Sequence, residues 1–93
     1  PRFPFSLRDL ALLVPEEIPA QKVQDLIAQE GGGLLESIQL FDLYAGSQVP
    51  SGMRSLAYRL KLGSRARTIQ EQEIEELEAK IIAKLAPFGI SLR

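Results

Sequence analysis

The chain of 93 residues has no cysteine, no histidine, no asparagine and no tryptophan. Without cysteine there is no disulfide framework, no thiolate nucleophile and no zinc knuckle. Without histidine the chain lacks the commonest general base and the commonest metal ligand. A catalytic site would have to be assembled from Asp, Glu, Lys, Arg, Ser, Thr and Tyr, and no such constellation stands out. No apolar run approaches the roughly 18 residues a membrane helix needs, and nothing resembles a signal peptide, so no membrane partner is expected. The first residue is Pro1 rather than Met, as expected of a processed chain or of a piece cut from a longer polypeptide.

What is present suits one small globular domain. Apolar residues make up 45% and charged residues 25% of the chain, a balance that can build a core and is not that of a disordered segment. The formal net charge of −1 excludes a generally basic clamp on a phosphate backbone. The charge is nevertheless uneven. Arg54, Arg59, Lys61, Arg65 and Arg67 fall in a stretch with no acid, whereas Glu71, Glu73, Glu75, Glu76 and Glu78 outnumber Lys80 and Lys84 further on. One side of the molecule is expected to be positive and another negative.

Residues 7–14, LRDLALLV, read as a strand stopped by Pro15. Helical spacing of Val23, Leu26 and Ile27 predicts a helix over about 19–30, with Pro19 in its first turn and three glycines, 31–33, at its end. Residues 35–45 predict a second strand, and the loop 46–53, with Gly46, Pro50 and Gly52, turns the chain back. Residues 54–62 alternate Leu56, Tyr58, Leu60 and Leu62 against Ser55, Ala57, Arg59 and Lys61, the pattern of a strand with one buried and one wet face. Thr68 followed by Glu71 reads as a capping box opening a long helix, whose core stripe is Ile74, Leu77, Ile81 and Leu85. Residues 90–92 predict a short last strand. The order β-α-β-β-α-β predicts an α+β, ferredoxin-like split βαβ sandwich in a single domain spanning 1–93. Right-handed crossovers give a four-stranded antiparallel sheet of order 4-1-3-2, with two helices on one face and the other face open.

The open face collects Ala11 from the first strand and Ser55, Ala57, Arg59 and Lys61 from the third. Asp42 and Tyr44, near the end of the second strand, would lie beside Ser55 if they too faced outward. Simple alternation would then turn Ile38 and Leu40 outward as well, so a β-bulge is expected near residues 39–41 to switch the parity.

The segments FPFSLRDLALLVPEEIP (3–19), LFDLYAG (40–46), VPSGMRSLAYRL (49–60), RTIQEQEI (67–74) and GISLR (89–93) together resemble, in order and spacing, the ferredoxin-fold anticodon-binding domain that closes the β subunit of bacterial phenylalanyl-tRNA synthetase. The likeness covers essentially the whole chain, and residue 93 falls where that domain normally finishes. The resemblance implies an RNA-binding module that contacts the anticodon stem-loop of phenylalanine tRNA and lays the first anticodon base, G, on the open sheet. It maps the family's small residue onto Ala11, its acid and aromatic onto Asp42 and Tyr44, and its hydroxyl onto Ser55. Departures are modest: Arg54 stands where the family usually has Lys, Gly63-Ser64 where it more often has a Gln-Asp-like pair, and Ile69 where it usually has Leu.

The resemblance further implies a cytoplasmic parent ligase that uses ATP and Mg²⁺, in which the rest of the β subunit and an α subunit form a heterotetramer. No catalytic group and no cofactor site of that enzyme would lie in this chain. The chemistry suits the residue types. Unpaired loop bases stack on aromatic rings and bond through their Watson–Crick edge. A carboxylate such as Asp42 accepts from both N1–H and N2–H of guanine, whereas adenine presents an acceptor at N1 and has no N2 amino group. Charge alone makes Arg54, Arg59, Lys61, Arg65 and Arg67 candidates for phosphate contacts that position without specifying. Other readings of the same topology are an ACT-type amino-acid-binding regulatory domain and an RRM, although residues 54–61 lack the Gly and paired aromatics of the RNP1 pattern. An acylphosphatase would need an Asn, which the chain does not have.

Overall fold

A computed structural model describes residues 2–93, with Pro1 outside them. The elements come in the expected order: β1 (Ser6–Pro15), α1 (Ala20–Gly31), β2 (Leu35–Tyr44), β3 (Met53–Leu62), α2 (Glu71–Leu85) and β4 (Ser91–Leu92), with short 3₁₀ turns at Gly32–Leu34 and Ala86–Phe88. The sheet is antiparallel with order β2-β3-β1-β4, the ferredoxin-like arrangement predicted from the sequence.

Alternation along β1 and β3 divides the sheet into two sides. Leu10, Leu12 and Val14 of β1 and Leu56, Tyr58, Leu60 and Leu62 of β3 are buried, and they join Val23, Leu26 and Ile27 of α1 and Ile74, Leu77, Ile81 and Leu85 of α2 in one core. Tyr58 fits among these aliphatic side chains because its hydroxyl donates to the Ala20 carbonyl at 2.9 Å. Burial pushes its phenol above the usual tyrosine range. No buried side-chain polar atom among the described residues lacks a partner.

Helix ends are set by local chemistry. α1 stops at Gly32, whose φ of 53° favours glycine and whose N–H reaches the Ala28 carbonyl. α2 does not use the expected Thr68 cap. Gln70 is the N-cap, and its side chain and that of Glu73 form the capping box. Ile69 explains the shift: it packs on the core one residue before the cap, and buried Ile74 lies at the fourth helical position, the spacing of a hydrophobic staple.

Arg54, a phosphate candidate by charge, lies on the other side of β3 from Ser55, Ala57, Arg59 and Lys61. It pairs with buried Val14, so it has the parity of the covered side. Its guanidinium donates to the carbonyls of Pro15 (2.8 Å) and Ile18 (2.7 Å), fastening the β1–α1 connection. Two of its donors are thus engaged by the protein backbone on the covered side of the sheet.

Candidate nucleic-acid interface

The open side is built from cross-strand rows, because directly paired residues of antiparallel strands project to the same side and sit about 4.5–5.5 Å apart. One row runs Tyr44, Ser55, Leu13, Ser91; the next runs Asp42, Ala57, Ala11. These two adjacent rows bring together all four residues expected to contact a base: Ala11, Asp42, Tyr44 and Ser55.

They meet because of an irregularity in β2. Leu40 pairs with Tyr58 on the core side, Asp42 pairs with Ala57 on the open side, and Phe41 is the extra residue between them. The bulge therefore lies within the expected window and reverses the parity of the rest of the strand. A second shift, between Leu35 and Ser37, has no counterpart in the expectations.

The seat has a floor, a wall and a rim. The methyls of Ala11 and Ala57 give a shallow floor, with Ser55 almost covered at 4% exposure. Tyr44 is half-buried and leans toward the loop after β2. A Cβ at Gly46 would come within 2.8 Å of its hydroxyl, so glycine is needed there to let the ring lie as it does. Asp42 is exposed and makes no ion pair among the described residues. Its carboxylate is available as an acceptor.

A fifth residue, which sequence reasoning missed, occupies the same place. The Arg93 N–H donates to the Ala11 carbonyl at 2.9 Å. Its Nη1 donates to Ser55 Oγ at 3.2 Å, and its guanidinium carbon lies 5.5 Å from the centre of the Tyr44 ring. No sequence pattern marks it: the pairings that place it, Leu12–Leu92 and Leu13–Ser91, exist only in the folded sheet.

The remaining basic residues are tied up to different degrees. Arg59 forms a fork with Asp9 (2.8 and 3.0 Å) and lies 4.7 Å from the Phe41 ring centre. The hydrogen bond from Arg59 holds the Asp9 carboxyl below the usual range, and the same bond raises the arginine. Arg67 holds Glu73 with two bonds of 2.9 Å, away from the base seat and at the start of α2. Arg65 pairs with Glu36. Lys61 makes no ion pair among the described residues and stands 4.9 Å from the Phe5 ring centre. With Arg2, Phe3, Phe5 and Arg65 it lines a groove of about 430 Å³. Six steps along the strand separate Lys61 from Ser55, about 20 Å.

Among the described residues no group of three or more Asp, Glu, His or Cys side chains is arranged to hold a metal ion. No helix there is long and apolar enough to cross a membrane.

Comparison with known proteins agrees with this architecture. Residues 1–93 match the family described as the ferredoxin-fold anticodon binding domain. The chain is 44% identical to a phenylalanine–tRNA ligase beta subunit of Moorella thermoacetica over 94 aligned residues, covering 100% of the chain and 12% of that protein. It is 40% identical to the beta subunit of Symbiobacterium thermophilum over 93 residues (100% and 10%). It is 39% identical to that of Clostridium acetobutylicum over 85 residues (91% and 11%). The chain thus spans about a tenth of the length of the curated relatives it matches. It belongs to the ferredoxin-fold anticodon binding domain family.

Proposed function

From that membership we propose that the chain serves as the anticodon-binding module of a phenylalanine–tRNA ligase beta subunit. Its open sheet face reads the first anticodon base, G, of phenylalanine tRNA. The observation that carries this reading is the bulge at Phe41, which turns Asp42 and Tyr44 onto the side of Ser55 and Ala11. A parity switch that moves an acid and a phenol out of the core direction, beside a hydroxyl and over two methyls, supplies what an unpaired purine needs. The ring offers a stacking surface, worth roughly 1–3 kcal/mol per base. The carboxylate offers acceptors for guanine N1–H and N2–H, and repels the N1 lone pair of adenine.

Lys61, beside Phe5 and Phe3 in the groove further along the face, supplies a phosphate contact that orients the RNA strand. Arg59 and Arg65 share their charge with Asp9 and Glu36 and contribute less. The parent enzyme would activate phenylalanine with ATP and Mg²⁺ in the cytoplasm, with its catalytic groups elsewhere in the β subunit and in an α subunit.

The test is a titration of the protein with a GAA anticodon stem-loop, its adenine-first variant, and free phenylalanine. Salt-sensitive binding of the GAA hairpin is expected, weakened by Asp42→Asn and by Tyr44→Ala, with no response to phenylalanine. Equal binding of both hairpins would overturn the base reading. Phenylalanine-induced dimerisation would favour an amino-acid-binding regulatory domain instead.

A further inference from the structure

The seat contains an acceptor for one edge of guanine, yet guanine also presents two acceptors, O6 and N7, that require donors. Ser55 carries one hydroxyl hydrogen. Arg93 carries a planar fork of five N–H donors and is already in the seat, bonded to Ser55 Oγ and within cation–π range of the Tyr44 ring. The geometry points to Arg93 as a base-contacting specificity residue, donating to O6 and N7 of the guanine whose N1–H and N2–H are accepted by Asp42. This role rests on the base-reading proposal and deepens it.

Three observations support the assignment. The Arg93 backbone is fixed by its bond to the Ala11 carbonyl, so the side chain starts from a defined point in the Ala11–Ala57–Asp42 row. The small Ala11 leaves a path over β1, by which the guanidinium reaches Ser55 on β3. Arg93 forms no ion pair with an acidic side chain among the described residues, so its charge is not cancelled before RNA arrives. In the free protein the guanidinium rests on two of the groups the base would use, Ser55 and Tyr44. Binding exchanges the Ser55 contact for the base acceptors and frees the hydroxyl for the ligand. Asp42 and Arg93 then stand as a complementary pair, acceptor and donor, which guanine satisfies and adenine, with its N1 acceptor and N6 donor, does not.

The experiment compares stem-loops carrying guanine, 7-deazaguanine, inosine or adenine at the first anticodon position, against the unaltered protein and Arg93→Ala. Arg93→Ala keeps the backbone bond to Ala11, and an unchanged melting temperature verifies the fold. The unaltered protein is expected to bind the 7-deazaguanine hairpin about fivefold or more weakly than the guanine hairpin, and Arg93→Ala to bind guanine roughly 5- to 150-fold less tightly, the range of one bidentate arginine–guanine pair. In Arg93→Ala the difference between guanine and 7-deazaguanine is expected to vanish, while the penalty for inosine, which lacks only N2, persists through Asp42.

Equal weakening of all four hairpins would overturn the assignment. With a salt slope lowered by about 0.7–1 it would make Arg93 a phosphate contact; with the slope unchanged it would make the residue merely structural. Preference for guanine over adenine with indifference to 7-deazaguanine in the unaltered protein would overturn only the Arg93 role. Indifference to all four bases would overturn the base reading and this inference together.

Discussion

The two sides of β3 belong to the same ten residues and do opposite work. Leu56, Tyr58, Leu60 and Leu62 are sealed under α1 and α2, at 0–1% exposure. Ser55, Ala57, Arg59 and Lys61, one step away each, face the side of the sheet that no helix covers. Because side chains alternate strictly along a strand, the chain can vary one set without disturbing the other. The difference teaches that the core and the proposed recognition surface are separable residue by residue. The exception is β2, an edge strand, where one extra residue moves side chains from one set to the other.

The largest expected effect attacks the covered side. Leu56→Ala should lower stability by about 2–5 kcal/mol, the usual cost of a large-to-small change in a packed core, read as a lower denaturation midpoint. Affinity per folded molecule for the GAA hairpin should be unchanged. A folded variant with lost RNA binding would break the separation.

Arg54→Ala is next. It removes two hydrogen bonds from a charged donor to the carbonyls of Pro15 and Ile18, and a loss of about 1.5–3 kcal/mol is expected in chemical denaturation. Hairpin affinity and its salt dependence should not move. A salt slope lowered by about one would return Arg54 to the phosphate-contacting set.

Tyr44→Ala inverts that pattern: hairpin binding should weaken by about 1–3 kcal/mol, while the denaturation midpoint shifts little because the ring is only half-buried on the open face.

The smallest effect concerns pH. The hydrogen bond from Arg67, then that from the Gln70 N–H, holds the Glu73 carboxyl below the usual range. A carboxyl depressed in the folded state adds stability above its unfolded value and loses it as the pH falls through the folded one. Acid titration monitored by far-UV circular dichroism should show α2 fraying below the usual carboxylate range, and Glu73→Gln should flatten that response without altering guanine preference at neutral pH.

Much of this was legible in the sequence because β3 states its parity openly and the two helices carry clear apolar stripes. The bulge was legible for a different reason. LFDLYAG could not satisfy both its apolar and its polar residues with an unbroken period of two. The shift at Leu35/Ser37 carried no such conflict, and nothing announced it. The alternation of β3 groups Arg54 with Leu56, but its partners, the carbonyls of Pro15 and Ile18 some 36–39 positions earlier in the chain, are encoded by no local pattern. Thr68 looked like a better cap than Gln70 by residue type, but the Ile69–Ile74 pair sets the register. Arg93 escaped notice because a strand of two residues is too short to display a period.

Intermolecular NOE contacts between a GAA stem-loop and the methyl-labelled protein test the central claim most directly. The first anticodon guanine should give contacts to the methyls of Ala11 and Ala57 and to the ring of Tyr44, on the side of the sheet away from the helices. Contacts running instead to side chains of α1 or α2, with the two alanine methyls silent, would contradict it.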